Sequence, residues 1–174
     1  MTDLLTPEEF ADLFNSFAHT AAFRLETRDF YDEDSEHEPF RRFLAGEPAD
    51  DSWVADFCED VRSWVAEGKR VERVRVITVP HGDYVRWSMT VARLNVQDGE
   101  DIRYLPRPEA RDLEFPHEDY WLFDSRRAAV LHCDDADRLL GAELIVDPAE
   151  VVKRCRWRDV AWSHATGWRQ YSGS

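Results

Sequence analysis

The run from Gly68 to Leu105 constrains this chain more than any other segment. Val71, Val74, Val76, Ile77 and Val79 crowd β-branched side chains between Gly68 and Pro80, the pattern of a central strand. Tyr84, Trp87, Val91 and Leu94 then mark one face of a helix that Gly99 closes, and Ile102 to Leu105 returns as a strand. Strand, helix and strand over about Arg70 to Leu105 form a β-α-β unit, which implies parallel strands and a right-handed crossover. The expected fold class is therefore α/β.

The flanks add to this unit on both sides. After the proline-marked connection Pro106 to Pro116, three strand-like runs follow at Tyr120–Phe123, Ala128–Cys133 and Leu139–Val146. Asp124-Ser125 and Asp134 to Asp137 are turn residues between them, so the three read as an antiparallel meander. Asp147-Pro148 caps a final helix with Val151, Val152, Cys155, Val160 and Trp162 on a broad apolar face. At the other end, Thr6-Pro7-Glu8-Glu9 combines an N-cap, a first-turn proline and a capping glutamate, ahead of Phe10, Leu13, Phe14 and Phe17. Ala21 to Glu26 alternates as a strand, and the acidic stretch Tyr31 to Glu38 reads as a solvated loop. Helices are expected at Pro39–Ala45 and from Ser52 to Gly68. This organisation is one domain over residues 1–174, with a mainly helical part to residue 68 and the α/β part over 69–168.

Charge excludes several function classes. Lys and Arg number 22 against 36 Asp and Glu, a formal charge of −14, so a duplex or an anionic membrane is repelled over most of the surface. No direct nucleic-acid contact and no membrane contact are expected. The opening MTDLLTPEEF lacks a signal peptide's basic start and apolar core, and no apolar run approaches the roughly 18 residues of a spanning helix, so a cytoplasmic location is expected. Cys58, Cys133 and Cys155 are odd in number and widely spaced, as buried reduced thiols would be. Neither a phosphate-binding glycine loop nor a nucleophile elbow or zinc-protease motif is present, and no cofactor is expected.

Three further groups invite chemical readings. His132, Cys133, Asp134, Asp135 and Asp137 resemble metal ligands, but strand alternation separates the first two and the aspartates suit a hairpin turn, so no metal site is expected. Arg126-Arg127 and the group Lys153, Arg154, Arg156 and Arg158 are the basic concentrations, read as solvated faces or as contacts for an anion or an acidic partner. Trp168 and Tyr171 lie beyond the last helix, where they are either core or an exposed anchor for a partner.

Two resemblances follow from particular segments. Phe23-Arg24-Leu25-Glu26-Thr27, Phe43 to Pro48, Arg73-Val74-Arg75-Val76, Asn95 with Gly99-Glu100-Asp101, and Tyr120-Trp121-Leu122-Phe123-Asp124 resemble an actinobacterial family of unknown function, often encoded beside helix-turn-helix regulators. The order strand, helix, strand, meander and closing helix distantly resembles a single-copy phospholipase D-like domain, with an N-terminal helical extension here. In catalytic members of that group the motif H-x-K-x-x-x-x-D would fall on His117, Asp119 and Asp124. The resemblance implies a nucleophilic histidine and a lysine that stabilises phosphoryl charge, and Asp119 reverses that charge.

These readings lead to a non-catalytic regulatory or protein-interaction module whose partner has a basic surface, with a helix-turn-helix regulator as the candidate. Asp119, Arg126, Arg127, Trp168 and Tyr171 are the candidate binding residues. One alternative is a phosphodiesterase-like homodimer with His117 as nucleophile, Asp124 as its orienting carboxylate and Arg126 or Arg127 in place of the lysine. The other is a small-ligand sensor using a pocket at the strand ends.

Overall fold

The computed structural model describes residues 4–17, 21–114, 116 and 118–173. Strand β1 (Leu4–Leu5) and helix α1 (Pro7–Ser16) lead into β2 (Ala21–Glu26), α2 (Asp34–Leu44), a 3-10 turn at Ser52–Val54 and α3 (Ala55–Ala66). The expected β-α-β unit is β3 (Arg70–Ile77), α4 (Asp83–Gln97) and β4 (Asp101–Pro106), followed by the short α5 (Arg107–Ala110). The meander is β5 (Asp119–Phe123), β6 (Arg127–Cys133) and β7 (Leu139–Ile145), closed by α6 (Pro148–His164), β8 (Thr166–Gly167) and α7 (Trp168–Tyr171).

Among the described residues the strands form one sheet in the order β1-β7-β6-β5-β2-β3-β4-β8. β2, β3 and β4 are parallel neighbours, and β5 joins β2 antiparallel to start the meander. Residue 68 is therefore not a structural boundary. β2, from the part read as a helical extension, sits in the middle of the sheet, because its alternating Phe23 and Leu25 need cover from the closing helix while its other face meets α1 and α3.

The sheet has two different faces. On one, Phe23, Leu25, Val74, Val76, Tyr120 and Leu122 pack beneath Val151 and Ala161 of α6. On the other, Leu13 and Phe17 of the α1 segment join Ala22, Trp121, Phe123 and Ala129, with Trp64 of α3 alongside. α1 begins as its sequence dictates: Glu9 N–H donates to Thr6 Oγ1 at 3.2 Å and Thr6 N–H donates back to Glu9 Oε2 at 2.8 Å. Asp147 caps α6 by accepting from Ala149 and Glu150 N–H at 3.0 and 3.1 Å.

One element boundary differs from the expectation. α2 starts at Asp34, so half of the acidic stretch read as loop is helical, with Pro39 inside the helix. Asp34 and Glu36 stabilise the first helical turn, and Pro39 follows in the second. The β5–β6 turn holds Asp124 and Ser125 at φ 52° and 56°, the left-handed geometry that a tight two-residue hairpin turn demands. Among the described residues no helix is long and apolar enough to cross a membrane.

Candidate functional site

Alternation along the two central strands places charge where a core is expected. Successive strand residues face opposite sides, so Arg24 and Glu26 of β2 share a face with Arg73 and Arg75 of β3, opposite the aliphatic face beneath α6. Arg24 pairs in register with Arg73, and Glu26 with Arg75. A buried carboxylate needs cationic partners, and Glu26 has three: Arg24 Nε at 3.0 Å, Arg73 Nη1 at 2.9 Å and Arg75 Nε at 2.6 Å. Arg73 also donates from Nε to Glu100 Oε1 at 2.7 Å, and Asn95 Nδ2 donates to Glu100 Oε2 at 2.8 Å.

Burial alone would push the Glu26 carboxyl up, but the charges of Arg75, Arg73 and Arg24 outweigh it and hold it at about 2. Three guanidiniums thus gather around two buried carboxylates at this face of the sheet. The hydrogen-bond account is also incomplete. Arg24 Nε and Arg75 Nε lie at ion-pair distance from Glu26 yet are not aligned to donate, and neither guanidinium has a hydrogen-bond acceptor among the described residues. Arg75 is only 7% exposed. An arginine so placed with unused donors is costly unless something else accepts from it.

Those guanidiniums floor a cavity of about 300 Å³. α2, the Ser52–Val54 turn, α3 and α4 roof it, contributing Glu33, Glu36, Trp53, Phe57, Tyr84, Trp87, Ser88 and Asn95. Arg24 lies 5.4 Å from the Trp121 ring centre and 5.7 Å from that of Tyr31, so aromatic faces hold the cation in place. At the rim the Tyr84 hydroxyl donates to Glu36, whose carboxyl burial pushes up. The cavity thus has a guanidinium floor and aromatic walls.

The residues singled out from sequence lie elsewhere. Asp119 is 1% exposed, and Thr27 N–H and Oγ1 donate to its Oδ1 at 2.8 and 2.6 Å while the Tyr31 hydroxyl donates to Oδ2. It ties the segment after β2 to β5. Asp124 sits five residues on, in the turn at the other end of β5, roughly 17 Å away at about 3.4 Å per residue. Its Oδ1 accepts from Ala21 N–H at 3.3 Å. The two carboxylates therefore do not share a site. His117 lies outside the described residues.

Arg126 is exposed at the same turn, and Arg127 donates to Ser16 Oγ at 2.6 Å, so neither approaches Asp119. Trp168 donates from Nε1 to Met89 O at 2.9 Å, and Tyr171 stacks on Tyr104 at 5.2 Å. Both pack against α4 and β4 instead of standing free as an anchor. Arg154, read as part of a solvated face, is 4% exposed and bridges Glu118 and Glu150 at 2.7 and 2.9 Å. His132 pairs with Glu143, Asp134 caps its own hairpin, and Cys133 and Cys155 are only half-buried.

Sequence reasoning missed the arginine cluster, although its signal was in plain view. Arg-x-Glu in β2 and Arg-x-Arg in β3 put four charges on one face of two strands whose position demands cover on both faces. Four of the five segments that carry the family resemblance converge here, through Arg24 and Glu26, Arg73 and Arg75, Asn95 with Glu100, and Trp121.

The phospholipase D family member Nuc from Salmonella typhimurium is similar in structure, with a TM-score of 0.52 at 13% identity over 93% of each chain. NucT from Helicobacter pylori is similar at a TM-score of 0.51 and 11% identity, covering 96% of this chain and 98% of that one. At such identities the likeness shows the fold, which is phospholipase D-like. No curated protein sequence matches. A family model described as a domain of unknown function, DUF6879, matches residues 8–173, and the chain belongs to that family.

Proposed function

We propose that this chain is a non-catalytic regulatory domain that binds a small anion in the arginine-floored cavity of a phospholipase D-like scaffold. The observation that carries the proposal is the pair Arg24 and Arg75, which line the cavity with Nε turned to Glu26 and with terminal nitrogens that make no hydrogen bond among the described residues. An anion held there would accept from those terminal nitrogens, with charge assistance from both guanidiniums.

One observation speaks against phosphodiester hydrolysis. Asp119, at the position where the resemblance expects a lysine, has both oxygens engaged by Thr27 and Tyr31. The response to a ligand would pass to a protein partner with a basic surface, which suits the −14 charge and the helix-turn-helix neighbours that the actinobacterial resemblance implies.

Thermal melting in a panel of small anions tests the reading. A ligand at a hundredfold its Kd stabilises by about 2.7 kcal/mol, which raises Tm by roughly 5–10 °C in a domain of this size. That shift is expected in the native chain and absent in the double variant Arg75→Met with Glu26→Gln, which removes donor and counter-charge together. An unchanged shift in the double variant refutes the site. Hydrolysis of a generic phosphodiester that disappears in His117→Ala overturns the non-catalytic reading.

A further inference from the structure

Resting on the anion-binding reading of the cavity, we infer that its ligand is a carboxylate or phosphate attached to a single planar ring system. The polar end of the chamber explains the anion. Arginine presents a planar fork of donors that matches a carboxylate or phosphate with two parallel hydrogen bonds, and the terminal nitrogens of Arg24 and Arg75, residues of the cavity lining, make no hydrogen bond among the described residues.

The rest of the lining explains the ring. Tyr31, Trp53, Phe57, Tyr84, Trp87 and Trp121 supply six aromatic side chains to one small cavity. Trp53 and Trp87 are stacked at 5.7 Å with 22° between their planes, and both Tyr31 and Trp121 hold Arg24 over their rings. Walls of this kind are rigid and offer π faces, which favour a flat ligand over a flexible aliphatic one. A bare phosphate would leave much of the chamber empty. A second anionic group would meet Glu33 and Glu36 on the roof, where like charges repel.

Size closes the argument. About 300 Å³ is the low end of the range for small-molecule pockets, so one ring system with its anion fits, whereas a dinucleotide or a lipid chain does not.

Isothermal titration of the full chain with three kinds of probe tests the inference. Indole-3-acetate and adenosine monophosphate carry both a ring and an anion. Inorganic phosphate and succinate are anions without a ring, and indole and adenosine are rings without an anion. At least one ring-bearing anion is expected to bind at least tenfold more tightly than every single-feature probe, with quenching of tryptophan fluorescence. Preference for the acetate or the monophosphate distinguishes the two anion sources. Arg75→Lys, which keeps the charge beside Glu26 but removes the fork, is expected to lose at least tenfold in affinity, as is Trp53→Leu.

Phosphate or succinate binding as tightly as the ring-bearing anions overturns the ring and leaves the anion site standing. Neutral rings binding equally well, or no probe binding at all, overturns both. Should Arg75→Lys fail to fold, Trp53→Leu supplies the same comparison from the roof of the chamber.

Discussion

The hydroxyl of Tyr31 donates to Asp119 across the space between the segment after β2 and the start of β5, and it does so with both residues buried. Thr27 completes the shell from its backbone and side chain. Asp119 thus serves as a clasp that closes the sheet beside the cavity, which Tyr31 also lines.

Asp119→Lys is accordingly expected not to restore phosphodiester hydrolysis and instead to destabilise the fold. Reversing a buried charge leaves the Tyr31 and Thr27 donors without an acceptor and buries an unpaired cation, a loss of at least about 3 kcal/mol. Thermal denaturation should show Tm falling by roughly 6 °C or more. A variant that melts like the native chain would show that Asp119 is not a clasp.

Glu26 sets the acid limit. Its carboxyl is held at about 2 against an ordinary 4.5, so its contribution is fully present above about pH 4.5 and is lost as pH falls towards 2. Glu36, whose carboxyl is raised by burial, works weakly against this trend. Urea unfolding from pH 7 to 3 should show the native chain losing stability over that window, with a flatter profile for Glu26→Gln. The same substitution at pH 7 strands Arg24 and Arg75 beside a neutral amide, while Arg73 keeps Glu100, and is expected to cost about 3–5 kcal/mol. Equal pH profiles for the two proteins would remove Glu26 from this role.

Trp168→Ala separates packing from docking. The indole donates to Met89 O and lies in the cluster of Ile77, Val85 and Tyr104, so its removal should lower stability by about 2–4 kcal/mol. A melting curve measures that loss directly. Unchanged stability would return Trp168 to the surface as an anchor.

Local patterns made much of the fold legible. The Thr6 to Glu9 cap, the β-α-β unit and the meander follow from short-range rules that tertiary contacts do not override, and the structure shows each of them. The position of β2 was not legible, because its partners are set by long-range pairing that no local pattern carries. The start of α2 was hidden for another reason: acidic residues suit both a solvated loop and a first helical turn. The cavity escaped because Arg24, Arg73 and Arg75 look like ordinary outward residues of half-exposed strands until the roof of helices is known. Asp119 was noticed for its charge, whereas its meaning lay in two donors more than 80 residues earlier in the chain.

The place of β2 has a consequence for the chain as it is made. The strand emerges early, yet Ala22 finds one neighbour in Val71 and the other in Phe123, about 100 residues later. During synthesis the edge that meets β5 stays bare long after β3 has been made, which is the condition under which unfinished sheets stick to one another. Arg24 and Glu26 then act as gatekeepers, because a charged face on a lone strand discourages pairing with another nascent copy. Replacing them with well-packed aliphatic residues could leave the finished domain stable and still lower the yield of soluble protein, so the same two side chains would guard the molecule before it has a cavity to line.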